Sequence, residues 1–82
     1  MNQQIEELTL LLLYLTSWEE EIGGTPIRRA WKGFRFEVLD ALEEAGYLSQ
    51  SKRAKSVGLT KAGLEQAQAL RAKYLSAGED ER

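Results

Sequence analysis

The sequence of 82 residues contains no cysteine and no histidine. It therefore cannot form disulfides, zinc fingers, or Ser-His and Cys-His nucleophilic arrangements, and it has no histidine for acid/base catalysis. Only a metal site made entirely of carboxylates is compatible with this composition, and we expect no metal and no cofactor. A chain this short buries only about 60% of its unfolded surface and has no covalent staple, so an oligomer interface is a natural source of further stability.

Long hydrophobic runs are also lacking. The longest unbroken apolar run, Leu10–Leu15, is far below the ~20 residues that a membrane-spanning helix needs. No base precedes this run, and Glu6 and Glu7 stand where a secretory signal would carry positive charge. We therefore expect a cytoplasmic protein with no membrane partner.

Charge is distributed unevenly around the net value of -2. Residues 1–27 contain acids and no base, whereas residues 28–61 contain eight bases against four acids. Because local potential, rather than total charge, steers a polyanion, the basic middle of the chain is compatible with a nucleic-acid partner.

Signals of enzymatic chemistry are weak. The side chains of Glu19, Glu20 and Glu21 are consecutive, so they diverge instead of converging on a substrate atom. The pair Gly23-Gly24 is not followed by the Lys-Ser/Thr of a phosphate-binding loop. The sequence therefore predicts a binding protein and not an enzyme.

The N-terminal segment, residues 3–18, has the composition of a leucine-rich helix. One broad face is expected to pack into the domain and consists of Ile5, Leu8, Leu11, Leu12, Leu15 and Trp18. Leu10, Leu13 and Tyr14 lie off this face, so the helix is apolar almost all round. Either other helices of the chain enclose these three residues, or a second copy covers them. The second reading predicts a homodimer with Leu10, Leu13 and Tyr14 at its interface.

The rest of the chain is typical of short helices and one hairpin. Thr25 as N-cap and Pro26 at the first helical position predict a second helix, and a third is expected over residues 34–45. Two short strands, 47–50 and 55–60, surround a polar tip, and Thr60 caps a last helix from Lys61 to about Ser76. This pattern predicts one mainly α domain over residues 1–76, with a small β-hairpin and a disordered tail over residues 77–82.

Two stretches carry a family resemblance. Residues 39–48, Leu-Asp-Ala-Leu-Glu-Glu-Ala-Gly-Tyr-Leu, and residues 59–64, Leu-Thr-Lys-Ala-Gly-Leu, resemble the helix, wing and Leu-Thr-x-x-Gly signature of bacterial winged helix-turn-helix regulators. At residues 8–10, 14–17, 29–32, 38–40, 55–57 and 59–60, and so over nearly the whole chain, the sequence is also similar to a family of small bacterial proteins of unknown function. The resemblance implies a winged helix-turn-helix fold with three helices, a hairpin wing and a C-terminal helix, and a function in DNA binding and transcription regulation.

The basic residues of the middle segment are the candidate nucleic-acid contacts. They comprise the wing bases Lys52, Arg53 and Lys55 and the bases around the second helix, Arg28, Arg29, Lys32 and Arg35. Basic wings contact phosphates in winged helices, although hairpin tips also carry lysine for solubility alone. Trp31, among the second set, either stacks on a base or fills the core, and we assign it to the core.

The outward face of the third helix opposes this interpretation. Glu37, Asp40 and Glu44 form an acidic stripe that would repel DNA phosphates. Two hypotheses therefore stand: a homodimeric winged-helix protein that binds duplex DNA, and a protein-interaction module that keeps the scaffold without binding DNA.

Overall fold

The computed structural model describes residues 2–79. Within these residues the chain forms three helices and one antiparallel sheet of four strands, which follow one another as α1 (Gln3–Leu15), β1 (Trp18–Ile22), β2 (Thr25–Trp31), α2 (Phe36–Glu44), β3 (Leu48–Ser49), β4 (Ser56–Leu59) and α3 (Lys61–Glu79). The strand order across the sheet is β1-β2-β4-β3. The long strand β2 is therefore central, and it pairs with β1 on one side and β4 on the other.

The segment expected to hold the second helix is instead a β-hairpin. Gly23 and Gly24 adopt φ values of 60° and 82°, which glycine reaches without steric cost and which a tight two-residue hairpin turn of the I′ type requires. Ile22 and Thr25 pair across this turn. Pro26 is tolerated because the pairing of β2 with β4 begins only at Arg28, which leaves a single neighbouring strand beside the proline. The prediction of a helix from Thr25 and Pro26 is wrong.

This hairpin changes the fold class from mainly α to mixed α and β. With strands where the second helix was expected, the order of elements does not plainly match a winged helix. The later elements agree better: α2 lies within the expected range, β3 and β4 are a hairpin followed by α3, and Thr60 precedes α3. Residues 77–79, which were expected in a disordered tail, belong to α3, and residues 80–82 of that tail lie outside the described residues.

The hydrophobic core lies between the helices and one face of the sheet. Ala30 of β2 and Val57 of β4 are fully buried opposite each other, and leucines from the helices cover them. The buried core set is Leu10, Leu11, Leu13, Ala30, Val38, Leu39, Leu42, Leu48, Val57, Leu59, Ala67 and Leu70.

The buried face of α1 agrees only in part with the one expected, since Leu11 is buried but most of its expected companions are not. Leu10 and Leu13 are 1% and 0% exposed, and Tyr14 packs half-buried against the core. The helix ends at Leu15, with Thr16 as its C-cap, so Trp18 belongs to β1 and does not extend a helical face. The face assigned to the core leaves four side chains exposed, namely Ile5, Leu8, Leu12 and Leu15.

The start of α3 is fastened to the end of α2 through Thr60. Its hydroxyl donates to the Gly46 carbonyl at 2.6 Å and accepts from the Gly63 N–H at 3.0 Å, so it acts as the expected N-cap. The Thr60 N–H donates to the Tyr47 carbonyl. A side chain at Gly63 would collide with that same carbonyl, whose carbon lies 3.0 Å from the position of an added Cβ. The glycine of the Leu-Thr-x-x-Gly motif therefore has a steric role.

Gly63→Ala is expected to lower the free energy of unfolding by about 1–3 kcal/mol, because the added methyl group forces the Tyr47 backbone away from α3. The matched control is Gly33→Ala, where an added Cβ meets nothing within 4 Å and the predicted change is within about 0.5 kcal/mol. Urea unfolding followed by circular dichroism measures both changes. Equal stability of the two variants would contradict the steric role.

A polar contact joins α1 to α3 on the surface. The Glu7 carboxylate accepts from the Tyr74 hydroxyl at 2.7 Å and from Lys73 Nζ at 3.0 Å. The hydrogen bond from Tyr74, followed by that from Lys73, lowers the pKa of Glu7 below its ordinary 4.5. The hydrogen bond to Glu7 is also the main cause that raises the pKa values of Lys73 and Tyr74.

These shifts give the contact a defined pH window. Glu7 stabilises the fold above its ordinary pKa of 4.5, and this contribution disappears as pH falls through the lowered folded value. The contributions of Tyr74 and Lys73 are present below their ordinary pKa values of 10.0 and 10.5 and are lost as pH rises through the raised ones.

Glu7→Gln is therefore expected to lower the Tm at neutral pH. It should also make the loss of Tm on acidification less steep, because the variant has no carboxylate to protonate at position 7. Thermal unfolding from about pH 3 to pH 7 measures this difference. Glu6→Gln removes a neighbouring carboxylate of α1 for which no hydrogen bond is found among residues 2–79, and serves as the control. If both variants show the same acid limb, Glu7 does not contribute in this way.

Candidate functional site

One face of the sheet is packed against the helices and the other face is open. Along β2 the side chains alternate, so Arg28 and Ala30 lie on the helix side, whereas Ile27, Arg29 and Trp31 lie on the open side. The strand register extends the open face to the neighbouring strands, where it contains Trp18, Glu20 and Ile22 of β1, Ser56 and Gly58 of β4, and Ser49 of β3.

Two tryptophans meet on this open face. The ring centroids of Trp18 and Trp31 are 4.9 Å apart and the planes are tilted by 44°. Trp18 is half-buried, and its Nε1 donates to the Glu20 carboxylate at 3.2 Å. Trp31 is 64% exposed. Its assignment to the core is wrong, because strand alternation sends it to the face opposite the buried Ala30.

Arg29 lies beside the tryptophans in a fixed position. It pairs across the strands with Trp18 on one side and with Gly58 on the other. Its guanidinium donates to Ser56 twice, from Nε to the hydroxyl at 2.9 Å and from Nη2 to the carbonyl at 3.0 Å. Its Nη1 lies 3.5 Å from where a Cβ of residue 58 would stand, which is ordinary van der Waals distance, so the guanidinium lies over Gly58.

Four further bases meet at the end of the sheet where β2 finishes and the loop before β4 passes. Lys32 Nζ donates to the Ser51 carbonyl at 2.9 Å, and its backbone N–H donates to the Lys55 carbonyl at 3.0 Å. The side chains of Lys52, Arg53 and Lys55 in this loop are exposed. We call these four residues, Lys32, Lys52, Arg53 and Lys55, the basic end of the sheet.

Two of the bases named from the sequence are not part of this group. Arg28 points to the helix side, where its guanidinium donates to the Ser17 hydroxyl and carbonyl at 2.9 and 3.0 Å. Arg35 is the N-cap residue of α2, and its exposed Nε lies 3.7 Å from the Glu37 carboxylate. The structure therefore brings together Arg29 and the basic end, and it separates Arg28 and Arg35 from them.

The exposed surface of α2 is acidic, as the sequence indicated. Glu37, Asp40, Glu43 and Glu44 are all exposed, and the Gln50 amide donates to both Asp40 and Glu43, at 3.1 and 3.0 Å. Asp40 and Glu43 also line a groove together with Lys32 and Lys52. The acids of α2 therefore form one border of the basic end.

The residues expected at a dimer interface do not lie on an exposed surface. Leu10 and Leu13 are enclosed by the chain itself and Tyr14 is half-buried on its core, so these residues do not offer a surface to a partner. Ile5, Leu8, Leu12 and Leu15 form the exposed apolar stripe of α1, with exposures of 48%, 39%, 48% and 45%. Leu11 is buried as expected, and Leu10, Leu13 and Tyr14 follow the reading in which the chain itself encloses them, whereas Ile5, Leu8, Leu12 and Leu15 were expected in the core and are exposed.

Sequence reasoning did not identify Trp18 as a candidate site residue, because it placed Trp18 at the end of a helix. The signal was available in the glycine pair, since two glycines between Ile22 and Thr25 are typical of a β-hairpin. Among residues 2–79, no group of three or more acidic side chains is placed to bind a metal ion. In the same part of the chain, no helix combines the length and the apolar character needed to cross a bilayer.

Comparison with known proteins adds one finding. No curated protein and no solved structure matches the chain. A family model described as a domain of unknown function, DUF6429, matches residues 1–77. The chain therefore belongs to the DUF6429 family.

Proposed function

We propose that the protein is a non-enzymatic nucleic-acid-binding protein that contacts phosphates through Arg29 and the basic end of the sheet. The observation that carries this proposal is the pair of hydrogen bonds from Lys32 to the carbonyls of Ser51 and Lys55, which hold Lys32 against the loop that carries Lys52, Arg53 and Lys55. Clustered lysine and arginine side chains supply the salt-dependent part of nucleic-acid affinity.

The sheet is a better candidate for this contact than α2. The exposed side of α2 has four acids, which would meet phosphates with repulsion. A helix-turn-helix also needs a supporting helix before the recognition helix, and β2 precedes α2 here. We therefore infer that the loop between β3 and β4, together with β2, takes the place of a recognition helix.

We further propose that the protein acts in transcription regulation in the cytoplasm of a bacterium. This role is supported by the hairpin, basic loop and following helix, which resemble the wing of winged-helix regulators. It is further supported by Thr60, which caps α3 as expected, and by Gly63, whose motif position has no room for a side chain.

The double variant Lys52→Gln/Arg53→Gln is expected to weaken binding to a labelled oligonucleotide and to reduce the slope of log affinity against log salt by about 1.4–1.8, since about 0.7–0.9 is lost per phosphate contact. The charge-matched control is Arg35→Gln/Lys61→Gln, which removes two exposed bases outside the basic end and is expected to leave the slope nearly unchanged. Fluorescence anisotropy with single-stranded and duplex DNA measures both. Absence of binding at low salt, or equal losses in the two variants, would refute the proposal.

A second function, self-association, is favoured by the exposed apolar stripe of α1. Ile5, Leu8, Leu12 and Leu15 follow the i, i+3, i+7, i+10 spacing of a helix-pairing seam. An antiparallel pair of α1 helices would place Ile5 against Leu15 and Leu8 against Leu12. Polar but uncharged residues, Gln4 and Thr16, flank this seam, so a second copy meets no like charge there.

The alternative route to self-association, through the sheet, is disfavoured. The outer strand β1 carries Glu19, Glu20 and Glu21 in succession, and charges on an edge strand oppose pairing with another edge. The opposite edge, β3, is only two residues long. We therefore infer that the homodimer forms through α1.

The exposed part of the α1 stripe amounts to roughly 300 Å² per protomer, against about 800 Å² per partner in a stable interface, so the dimer is expected to be weak. Leu8→Glu/Leu12→Glu should make the protein monomeric at high micromolar concentration, as measured by sedimentation equilibrium. Leu75→Glu, at an apolar position of α3 with 37% exposure, is the control and should not change the mass. A wild-type protein that is monomeric throughout this range would contradict self-association.

A further inference from the structure

The indole of Trp31 contacts Trp18 on one side and is otherwise largely exposed. Burial of a tryptophan removes a large apolar surface from water, yet Trp31 leaves 64% of its surface exposed on the open face of the sheet. Phe36, the other highly exposed aromatic residue, stands at the start of α2 and away from this face. Trp31 is therefore a strongly exposed aromatic ring on the open face of the sheet.

The surroundings of Trp31 resemble a stacking site for planar groups. Trp18 packs at 4.9 Å from Trp31, and its own Nε1 is engaged by Glu20, so Trp18 supports the exposed ring from the β1 side. Arg29 is the cross-strand partner of Trp18 and precedes Trp31 by two residues on β2, and it is held by its two bonds to Ser56. An indole and a guanidinium plane both stack on nucleic-acid bases.

The charged residues around the Trp31 ring favour one direction for the backbone of a bound nucleic acid. Glu20 disfavours a phosphate on the β1 side of the Trp pair. On the other side, Trp31 is followed directly by Lys32 and pairs with Ser56, the residue after Lys55. A polyanionic backbone that leaves a base on Trp31 therefore reaches the basic end within one nucleotide or two.

We propose that the open face of the sheet binds unpaired nucleotides of a single-stranded nucleic acid, with one base stacked on Trp31 and the adjoining phosphates on Arg29 and the basic end. This inference rests on the proposed nucleic-acid-binding function and names its ligand class. A duplex fits the face poorly, because its bases are stacked on one another and show only their edges in the grooves. The major groove also admits a helix or a two-stranded ribbon, and not the face of a four-stranded sheet.

The test compares labelled oligonucleotides of about 12 nucleotides, namely oligothymidine, oligouridine and a duplex of oligothymidine with oligoadenosine, at one low salt concentration. Wild-type protein is expected to bind the single strands at least about tenfold more tightly than the duplex. Trp31→Ala should weaken single-strand binding about fivefold to a hundredfold, whereas Trp31→Phe should retain most of the affinity. The two single strands distinguish a DNA ligand from an RNA ligand.

Phe36→Ala is the matched control, because it removes an aromatic ring of comparable exposure that lies off the sheet face and beside the basic end. A second readout uses intrinsic fluorescence in Trp18→Phe, where Trp31 is the remaining tryptophan and should be quenched by oligothymidine. Circular dichroism checks that each variant is folded.

The outcomes separate this inference from the function on which it rests. If the duplex binds as tightly as the single strands, or if Trp31→Ala binds like wild type or no more weakly than Phe36→Ala, stacking on Trp31 is refuted and phosphate binding by the basic end stands. If no oligonucleotide binds at low salt, both are refuted. Single-strand preference combined with a selective loss in Trp31→Ala supports the inference.

Discussion

The pairing of β2 on both of its edges is the constraint on which the rest of the structure depends. Its register sets Ala30 opposite Val57 inside the core and Arg29 opposite Trp18 and Gly58 on the open face. A slip of one residue would reverse these faces, burying Arg29 and Trp31 and exposing Ala30. The same register therefore determines which residues enter the core and which form the candidate binding surface, so a change in one changes the other.

Local signals were enough to predict the second half of the chain. Thr60 caps α3 and the β3–β4 hairpin lies close to where composition placed it, because capping and turn preferences act over a few residues. Thr25 and Pro26 also suit the start of a helix, and this local preference led to the wrong element. The glycine pair before them permits a turn at positive φ that brings β1 back along β2, and the tertiary pairing of β2 with β4 then outweighs the local signal.

For a related reason, the sequence predicted only part of the candidate site. The bases Lys52, Arg53 and Lys55 are contiguous enough to be recognised from composition, whereas the contact of Trp18 with Trp31 depends on a strand pairing. The buried face of α1 was difficult to predict for another reason. Since it is apolar almost all round, its periodicity does not say which arc is covered, and the choice is made by packing against α3.

The small net charge of -2 sets a limit on how such a surface binds. Acids border the bases on two sides, with Glu20 on the open face and Asp40 and Glu43 on α2, so phosphates are attracted only over a short path. A few phosphate contacts give modest, salt-sensitive affinity. An exposed indole supplies a contribution that salt does not screen, but only to a ligand that offers the face of a base. In the proposed binding mode this combination would discriminate by strandedness, because a duplex would gain the weak phosphate contacts alone, whereas an unpaired segment would gain both.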